Sequence, residues 1–445
     1  MPSEAQPTPQ VGGRVHAALI TATASGQGKS VITAALARLH RNAGRRVRVF
    51  KHGPDYLDPM LQARASGELV YQLHPWMTGE AECRRRLASA AAEADVILVE
   101  GSMGLFDGDD ASSADLAALT GLPAIPVIDA AGMAQTFGAV ALGLSRFRDD
   151  VRIGQIIANR VASARHREML AAGLPDGIEL LGAIPRHDAF TIPSRHLGIV
   201  QADELGELDA QLDAAAAVLV DAGLDRLPAP VSLTAEPAAP TPKHLTGLRI
   251  GIAYDQAFAF VYPANVELLA SMGAELRYFS PLVDEALPEV DALWLPGGYP
   301  ELYAAQLTAN RSMRAAIGAH HTAGRPIVAE CGGLMYCLEH LIDGDGIAHD
   351  MLGLLPGNSR MAGRLMGLGM QSLAATGEAL RGHAFHHSHL ENGPEPVAHT
   401  TPRGGSRRGE PVFRTRGLIA TYFHGYFPSA PDTTAALFLG RWAPP

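Results

Sequence analysis

The sequence predicts an α/β protein built as two doubly wound domains, and three observations carry that expectation. Short β-branched or apolar runs alternate with alanine-rich helical stretches, as at 15–20, 47–50, 96–99, 124–128 and 153–158. Parallel strands read as such continuous runs because helices cover both faces of their sheet. The rhythm stops at 227–244, LPAPVSLTAEPAAPTPKH, and restarts at 248–254, 292–295 and 326–329. The length of 445 residues suits two or three domains at roughly 150 residues each. The expected boundaries are 13–226 for the first domain, 227–247 for a semi-rigid Pro/Ala-rich linker and 248–445 for the second.

Composition removes several classes. A chain that is 47% hydrophobic and 18% charged is globular, neither disordered nor fibrous. Lys+Arg 36 against Asp+Glu 46 gives a net charge of −10, which argues against a nucleic-acid partner. Cys83, Cys331 and Cys337 cannot form a disulfide framework, so a reducing, cytoplasmic compartment is expected. Residues 1–13 are polar and proline-bearing, unlike a signal peptide. The most apolar stretch, 116–144, is broken by Pro123, Pro126 and Asp129, so no membrane span is expected. Basic charge is almost all arginine; the lysines are Lys29, Lys51 and Lys243.

In the first domain, strand 15–20 leads into TATASGQGKS at 21–30 and then an apolar helical run. A glycine-rich turn between strand and helix presents backbone N–H groups to phosphate, here from Ser25, Gly26, Gln27 and Gly28. Lys29 reaches the β- and γ-phosphates, and the Ser30 hydroxyl suits Mg²⁺. Thr23 stands where the full P-loop pattern has glycine. Strand 47–50 precedes KHGPDYLDP, which puts Lys51, Asp55 and Asp58 on one loop at the carboxyl edge of the sheet, where α/β proteins bind ligands.

Strand 96–99 ends in Glu100, a position from which a second acid holds Mg²⁺ or its water. GLFDG at 104–108 sets Asp107 on a glycine-bounded loop. Phosphoryl transfer needs this inventory of cations for phosphate, acids for metal and a loop for the acceptor. Asn159 and Pro185, each after a strand, are candidates to face the nucleotide base, with ordinary loop polarity as the alternative. Arg84, Arg85 and Arg86 read most simply as a solvated helix face.

In the second domain, strand 326–329 runs into Glu330-Cys331-Gly332-Gly333 and a helix. A nucleophile in such a sharp turn is exposed, and the helix N-terminus is expected to lower the Cys331 thiol pKa. The Gly332 N–H would face a developing oxyanion. Ala329 occupies the place where the usual elbow has glycine. Gly297 and Gly298, in LPGGYPE directly after strand 292–295, supply a second donor pair. His424, in TYFHGY, suits the general base, with His383, His386, His387 and His389 as competitors. Cys83 and Cys337 read as core. The histidine cluster lacks the cysteine partners of a zinc site.

These segments resemble a known family. PIVAECGGLMY, LPGGYPE and His424 are similar to a class I (triad) glutamine amidotransferase domain, of the variant found in cobalamin biosynthesis. TASGQGKS, KHGPDYLDP, VILVEGSMGLFDG and VIDA resemble the synthetase domain of the cobyrinate and hydrogenobyrinate a,c-diamide synthases, a fold related to dethiobiotin synthetase. The resemblance spans the chain apart from its first dozen residues and the linker. It implies a P-loop NTPase-like parallel sheet followed by a flavodoxin-like amidotransferase domain. Two departures stand out: Tyr426 occupies the place of the usual triad glutamate, and Ala384 and His387 stand where the family commonly has Glu and Tyr.

The resemblance further implies a route. Cys331, deprotonated by His424, attacks the glutamine carboxamide and releases ammonia, with Gly297, Gly298 and Gly332 around the oxyanion. Mg²⁺–ATP phosphorylates a corrinoid carboxylate, and ammonia, carried through an interdomain passage, displaces the phosphate; the cycle repeats at a second carboxylate. Substrate binding falls to Lys51, Asp55, Tyr56, Leu57, Asp58 and Asp107, and metal binding to Ser30, Asp55 and Glu100. The partners expected are ATP, glutamine, a corrinoid and a second copy in a homodimer, with no nucleic acid or membrane. The alternatives are amidation of another tetrapyrrole, such as a nickel sirohydrochlorin, and a regulatory P-loop ATPase. The latter leaves Cys331 unexplained. The arginine bias leans towards a metal-free ring.

Overall fold

In the computed structural model, which describes residues 10–108, 111–191, 194–195, 198–199, 207–405 and 408–444, the chain divides into two compact units, Met1–Ala239 and Pro240–Pro445. The first is organised on strands β1 (Val11–Ala22), β2 (Val47–His52), β3 (Tyr71–Leu73), β4 (Val96–Glu100), β5 (Ala124–Asp129), β6 (Gln155–Val161) and β7 (Glu179–Pro185). They lie parallel in the order β3-β2-β4-β1-β5-β6-β7. Successive side chains serve opposite faces. Val127 and Ile157 join Ala18, Ile20 and Leu36 in one core, while Ile128, Ile156 and Ala158 pack with Phe137 and Leu170 in another. Both faces being apolar explains why these strands read as unbroken hydrophobic runs. The strand order reverses at β1, so its carboxyl end opens at the switch point where ligands bind in doubly wound sheets.

The linker expected at 227–247 is partly structured. Residues Pro230–Ala235 form a strand antiparallel to the first half of β1, from Val11↔Ala235 to His16↔Pro230. The cause is local: β1 begins before its parallel neighbours, whose pairing starts at His16↔Val96, and leaves an edge to cover. The alternation of Val231-Ser-Leu-Thr234 suits that edge, with Leu233 buried. Pro230 sits at the strand's first position, where its missing N–H does no harm.

The second unit carries a sheet in the order Glu275–Phe279, Arg249–Ala253, Ala292–Leu295, Ile327–Glu330, Leu418–Thr421, Pro411–Thr415 and Ala398–His399. The first five are parallel, and Pro411–Thr415 runs antiparallel to both of its neighbours. Leu293, Leu295, Ile327 and Ala329 fill one core; Ala292, Trp294, Val328 and Ile419 fill the other. An antiparallel sheet holding Gly367–Leu373, Leu380–His386 and His424–Gly425 brings a histidine segment beside the end of this parallel array. Among the described residues no helix is long and apolar enough to cross a membrane.

Candidate functional site

Each unit gathers chemistry at the carboxyl ends of its parallel strands. In the first, helix α1 (Lys29–Asn42) follows β1 through a turn in which Gly26 and Gly28 take left-handed φ of 78° and 94°. No side chain caps the helix, so its first N–H groups are presented by the turn itself. Lys29 folds back and donates to the Ala24 carbonyl at 3.1 Å. Burial lowers its pKa, with Glu100 opposing and Lys51 adding to the shift. Asn159 braces the turn by donating to the Gln27 carbonyl at 2.9 Å, while the Gln27 side chain accepts from the Asp129 N–H at 2.8 Å. Of the two candidates for the base edge, the structure brings Asn159 to the turn and leaves Pro185 exposed at the end of β7.

Behind the turn lies a buried polar cluster. Lys51 is not on a loop, as the sequence suggested, but inside β2, in register with Glu100 on β4. Its ammonium donates to Glu100 Oε1 at 2.8 Å and Asp58 Oδ2 at 2.5 Å, with Asp55 at 4.0 Å. Burial pulls its pKa down, but Glu100, Asp58 and Asp55 outweigh burial and hold it above the usual lysine value. Glu100 also accepts from Ser30 Oγ at 2.7 Å and from the Gln62 amide. Burial first, then Asp58, pushes Glu100 up to about 7 and Asp55 to about 6, whereas Lys51 holds Asp58 below its ordinary value against burial.

Asp55 accepts from the Leu57 N–H at 2.8 Å, and Tyr56 and Leu57 are themselves buried. Gln62, four residues after Asp58 in helix α2 (Leu57–Ser66), was missed. The i,i+4 spacing on one helix face was the signal for it.

Asp107 is exposed and accepts from the Gly104 N–H at 3.0 Å; a Cβ on Gly104 would meet the Thr23 carbonyl at 2.7 Å, so this loop lies against the turn. Of the three arginines expected on a solvated helix face, Arg84 is exposed, whereas Arg85 and Arg86 are half-buried, paired with Glu82, and Arg86 covers the Tyr71 ring at 4.1 Å. The oxygen donors Ser30, Asp55, Asp58 and Glu100 are the hard ligands Mg²⁺ prefers. Among the described residues no three His, Cys, Asp or Glu side chains form a metal cage.

In the second unit, Cys331 sits between strand Ile327–Glu330 and the short helix Gly332–Cys337 with φ 47° and ψ −104°. A non-glycine residue in that region is strained and held there by its surroundings; its N–H donates to the Thr421 carbonyl at 2.8 Å. Close backbone packing makes the turn possible. A Cβ on Gly333 would lie 2.0 Å from the Leu295 carbonyl oxygen, and one on Gly332 would lie 3.0 Å from the Gly298 nitrogen. The oxyanion candidates Gly298 and Gly332 are therefore adjacent. Gly297 lies against His424: its Cβ would meet the imidazole Cε1 at 2.3 Å.

The expected thiol activation is corrected. Burial pushes the Cys331 pKa up and Glu301 adds to it; the hydrogen bond from the Gly332 N–H opposes this but is outweighed. The expected lowering assumed an open helix terminus, whereas the elbow is enclosed. His424 is also fully enclosed, and burial, then His383 and His386, lower its pKa well below 6.5. Burial thus disfavours the charged form of both the thiol and the imidazole. Of the competing histidines, His383 stacks on His424 with centroids 4.9 Å apart and 12° between planes, and one residue, Glu330, was missed. Glu330 is buried beside the nucleophile. All three cysteines are free thiols.

Comparisons with known proteins accord with this geometry. Residues 18–199 match the model of the CobQ/CobB/MinD/ParA nucleotide binding domain, and residues 249–431 that of the CobB/CobQ-like glutamine amidotransferase domain. The chain is 54% identical over 95% of its length to the hydrogenobyrinate a,c-diamide synthase of Pseudomonas aeruginosa, covering 97% of that protein. It is 53% identical to the protein of that name from Stutzerimonas stutzeri, over 95% of this chain and 98% of the other. It is 50% identical to the cobyrinate a,c-diamide synthase of Herminiimonas arsenicoxydans, over 94% and 96%.

Proposed function

The chain belongs to the hydrogenobyrinate and cobyrinate a,c-diamide synthase family, and from that membership and the two sites we propose that it amidates the a and c carboxylates of a corrinoid using ATP and glutamine. The observation that carries the reading is similarity over nearly the whole chain, with both a nucleotide-binding and a glutamine amidotransferase domain present. Neither the nickel-sirohydrochlorin alternative nor the regulatory ATPase is favoured by it.

At the second site, Cys331 attacks the glutamine carboxamide as His424 takes the thiol proton. The oxyanion is held by N–H groups of Gly298 and Gly332, with Gly297 completing the loop. His424 returns the proton to the departing ammonia, and water hydrolyses the thioester to glutamate. At the first site, the backbone of Ser25–Ser30 and the Lys29 ammonium hold the ATP phosphates, and Asn159 keeps that turn in shape. Ser30, Asp55 and Glu100 would hold Mg²⁺, which neutralises phosphate charge when bound. Lys51, Asp58, Tyr56, Leu57 and Asp107 orient the carboxylate acceptor. Its oxygen displaces ADP from the γ-phosphorus; ammonia then displaces phosphate from the acyl phosphate, losing a proton. The enzyme acts as a cytoplasmic homodimer on the metal-free ring, the substrate in the names of two relatives above 50% identity.

The test is amidation of each ring with ATP and glutamine, read by product mass. Two amidation steps on the metal-free ring are expected. Cys331→Ala should lose glutamine-dependent synthesis and keep the ammonia-dependent reaction. Glutamine-dependent product from that variant would overturn the assignment.

A further inference from the structure

The glutaminase site lacks the usual triad acid, since Tyr426 holds its place, yet a buried carboxylate stands one residue before the nucleophile. Glu330 Oε1 accepts from the Gly425 N–H at 2.7 Å, the peptide immediately after His424. Its Oε2 accepts from Trp294 Nε1 at 2.8 Å. Trp294 is fully buried in the strand whose next residues are Leu295, Pro296 and the glycine pair. One side chain therefore links three segments: the Cys331 elbow through the chain, the His424 strand through Gly425, and the Gly297–Gly298 loop through Trp294.

A carboxylate is suited to this because it accepts on both oxygens, whereas most side chains offer one acceptor. Among the described residues no cation pairs with it, and burial pushes its pKa up to about 7, opposed by the bonds from Gly425 and Trp294. Burying a carboxyl group without an ion-pair partner is unfavourable. An apolar residue of like volume would avoid that cost but leave the Gly425 N–H and the Trp294 indole N–H buried and unpaired. The acid serves two donors that converge from separate segments.

We infer that Glu330 is a positioning residue of the glutaminase reaction, fixing Cys331, His424 and the Gly297–Gly298 loop relative to one another. This rests on the amidotransferase reading above. It places Glu330 behind the backbone and not against substrate, so it differs from a triad acid, which touches the imidazole.

The test compares Glu330→Gln and Glu330→Met, both made in a Trp294→Phe background so that no indole N–H faces the new side chain. The two replacements have similar volume, and only glutamine retains an acceptor for Gly425. The expected result is a glutaminase kcat at least 30-fold lower for the methionine variant than for the glutamine variant. KM for glutamine should stay within about twofold, and ammonia-dependent synthesis should be equal in the two. The methionine variant, whose Gly425 N–H is left unpaired, should melt lower, so kcat is read for both variants well below the lower midpoint, where both are fully folded. Equal kcat values under those conditions, or a difference that disappears as the temperature is lowered further, would overturn the inference. A wild type that releases no glutamate would overturn the underlying reading instead, and the role of Glu330 with it.

Discussion

The imidazoles of His383 and His424 stack 4.9 Å apart with nearly parallel planes, and the His383 Nδ1 lies 3.2 Å from the Tyr262 hydroxyl. In a triad, an acid beside the histidine stabilises the imidazolium. Here a second imidazole occupies the neighbourhood and does the reverse. Burial first, then His383 and His386, keep His424 neutral to well below pH 6.5. A base that stays unprotonated remains competent in mildly acidic solution, and it discharges its proton readily to ammonia.

The pH profile of glutamine hydrolysis should therefore show its acid limb well below 6.5. His383→Asn removes a group that lowers the His424 pKa, so the limb should move to higher pH. Steady-state kcat/KM for glutamate release between pH 4.5 and 8 measures this. An unmoved limb would mean that burial alone sets it.

Lys51→Met should destabilise the first unit, because Glu100 and Asp58 would remain buried without their shared cation. Removing one partner of a buried ion pair costs about 3–5 kcal/mol. Glu100, already raised to about 7, would rise further in the variant. A carboxyl with a raised folded pKa favours the folded state at low pH and loses that contribution as pH climbs through the pKa. The deficit should thus be larger at pH 8 than at pH 5.5. Thermal unfolding at the two values checks it, and equal deficits would count against Glu100 as the carrier.

What could be read from sequence was local. The glycines, Lys29 and Ser30 lie within one strand-turn-helix, as does Cys331, so their order along the chain states their geometry. The scarcity of lysine also drew attention to Lys51. Its placement in a strand facing Glu100 depends on the β2–β4 register, which no local pattern reveals. The same holds for Glu330, joined to Gly425 across 95 residues and to Trp294 across 36. The activation of Cys331 was misjudged because a helix terminus is visible in sequence and enclosure is not. Pro230–Ala235 was read as linker because its strand pairing depends on a partner more than 200 residues earlier.

Gly297→Ala tests whether the imidazole and the glycine loop act as one unit. Gly297 does not have a positive φ, so alanine suits its backbone and the consequence is steric. The added methyl would stand 2.3 Å from His424 Cε1 and 3.1 Å from Nδ1. The ring cannot easily retreat, since it is 2% exposed and stacked on His383. A displacement near 1 Å costs on the order of 100-fold in rate. Glutamine hydrolysis should fall by about that factor while ammonia-dependent synthesis persists. Substitutions that act through the same group are not additive, so adding Gly297→Ala to His424→Ala should change the residual rate little. If the double variant instead loses a further 100-fold, the loop acts on the oxyanion independently of His424.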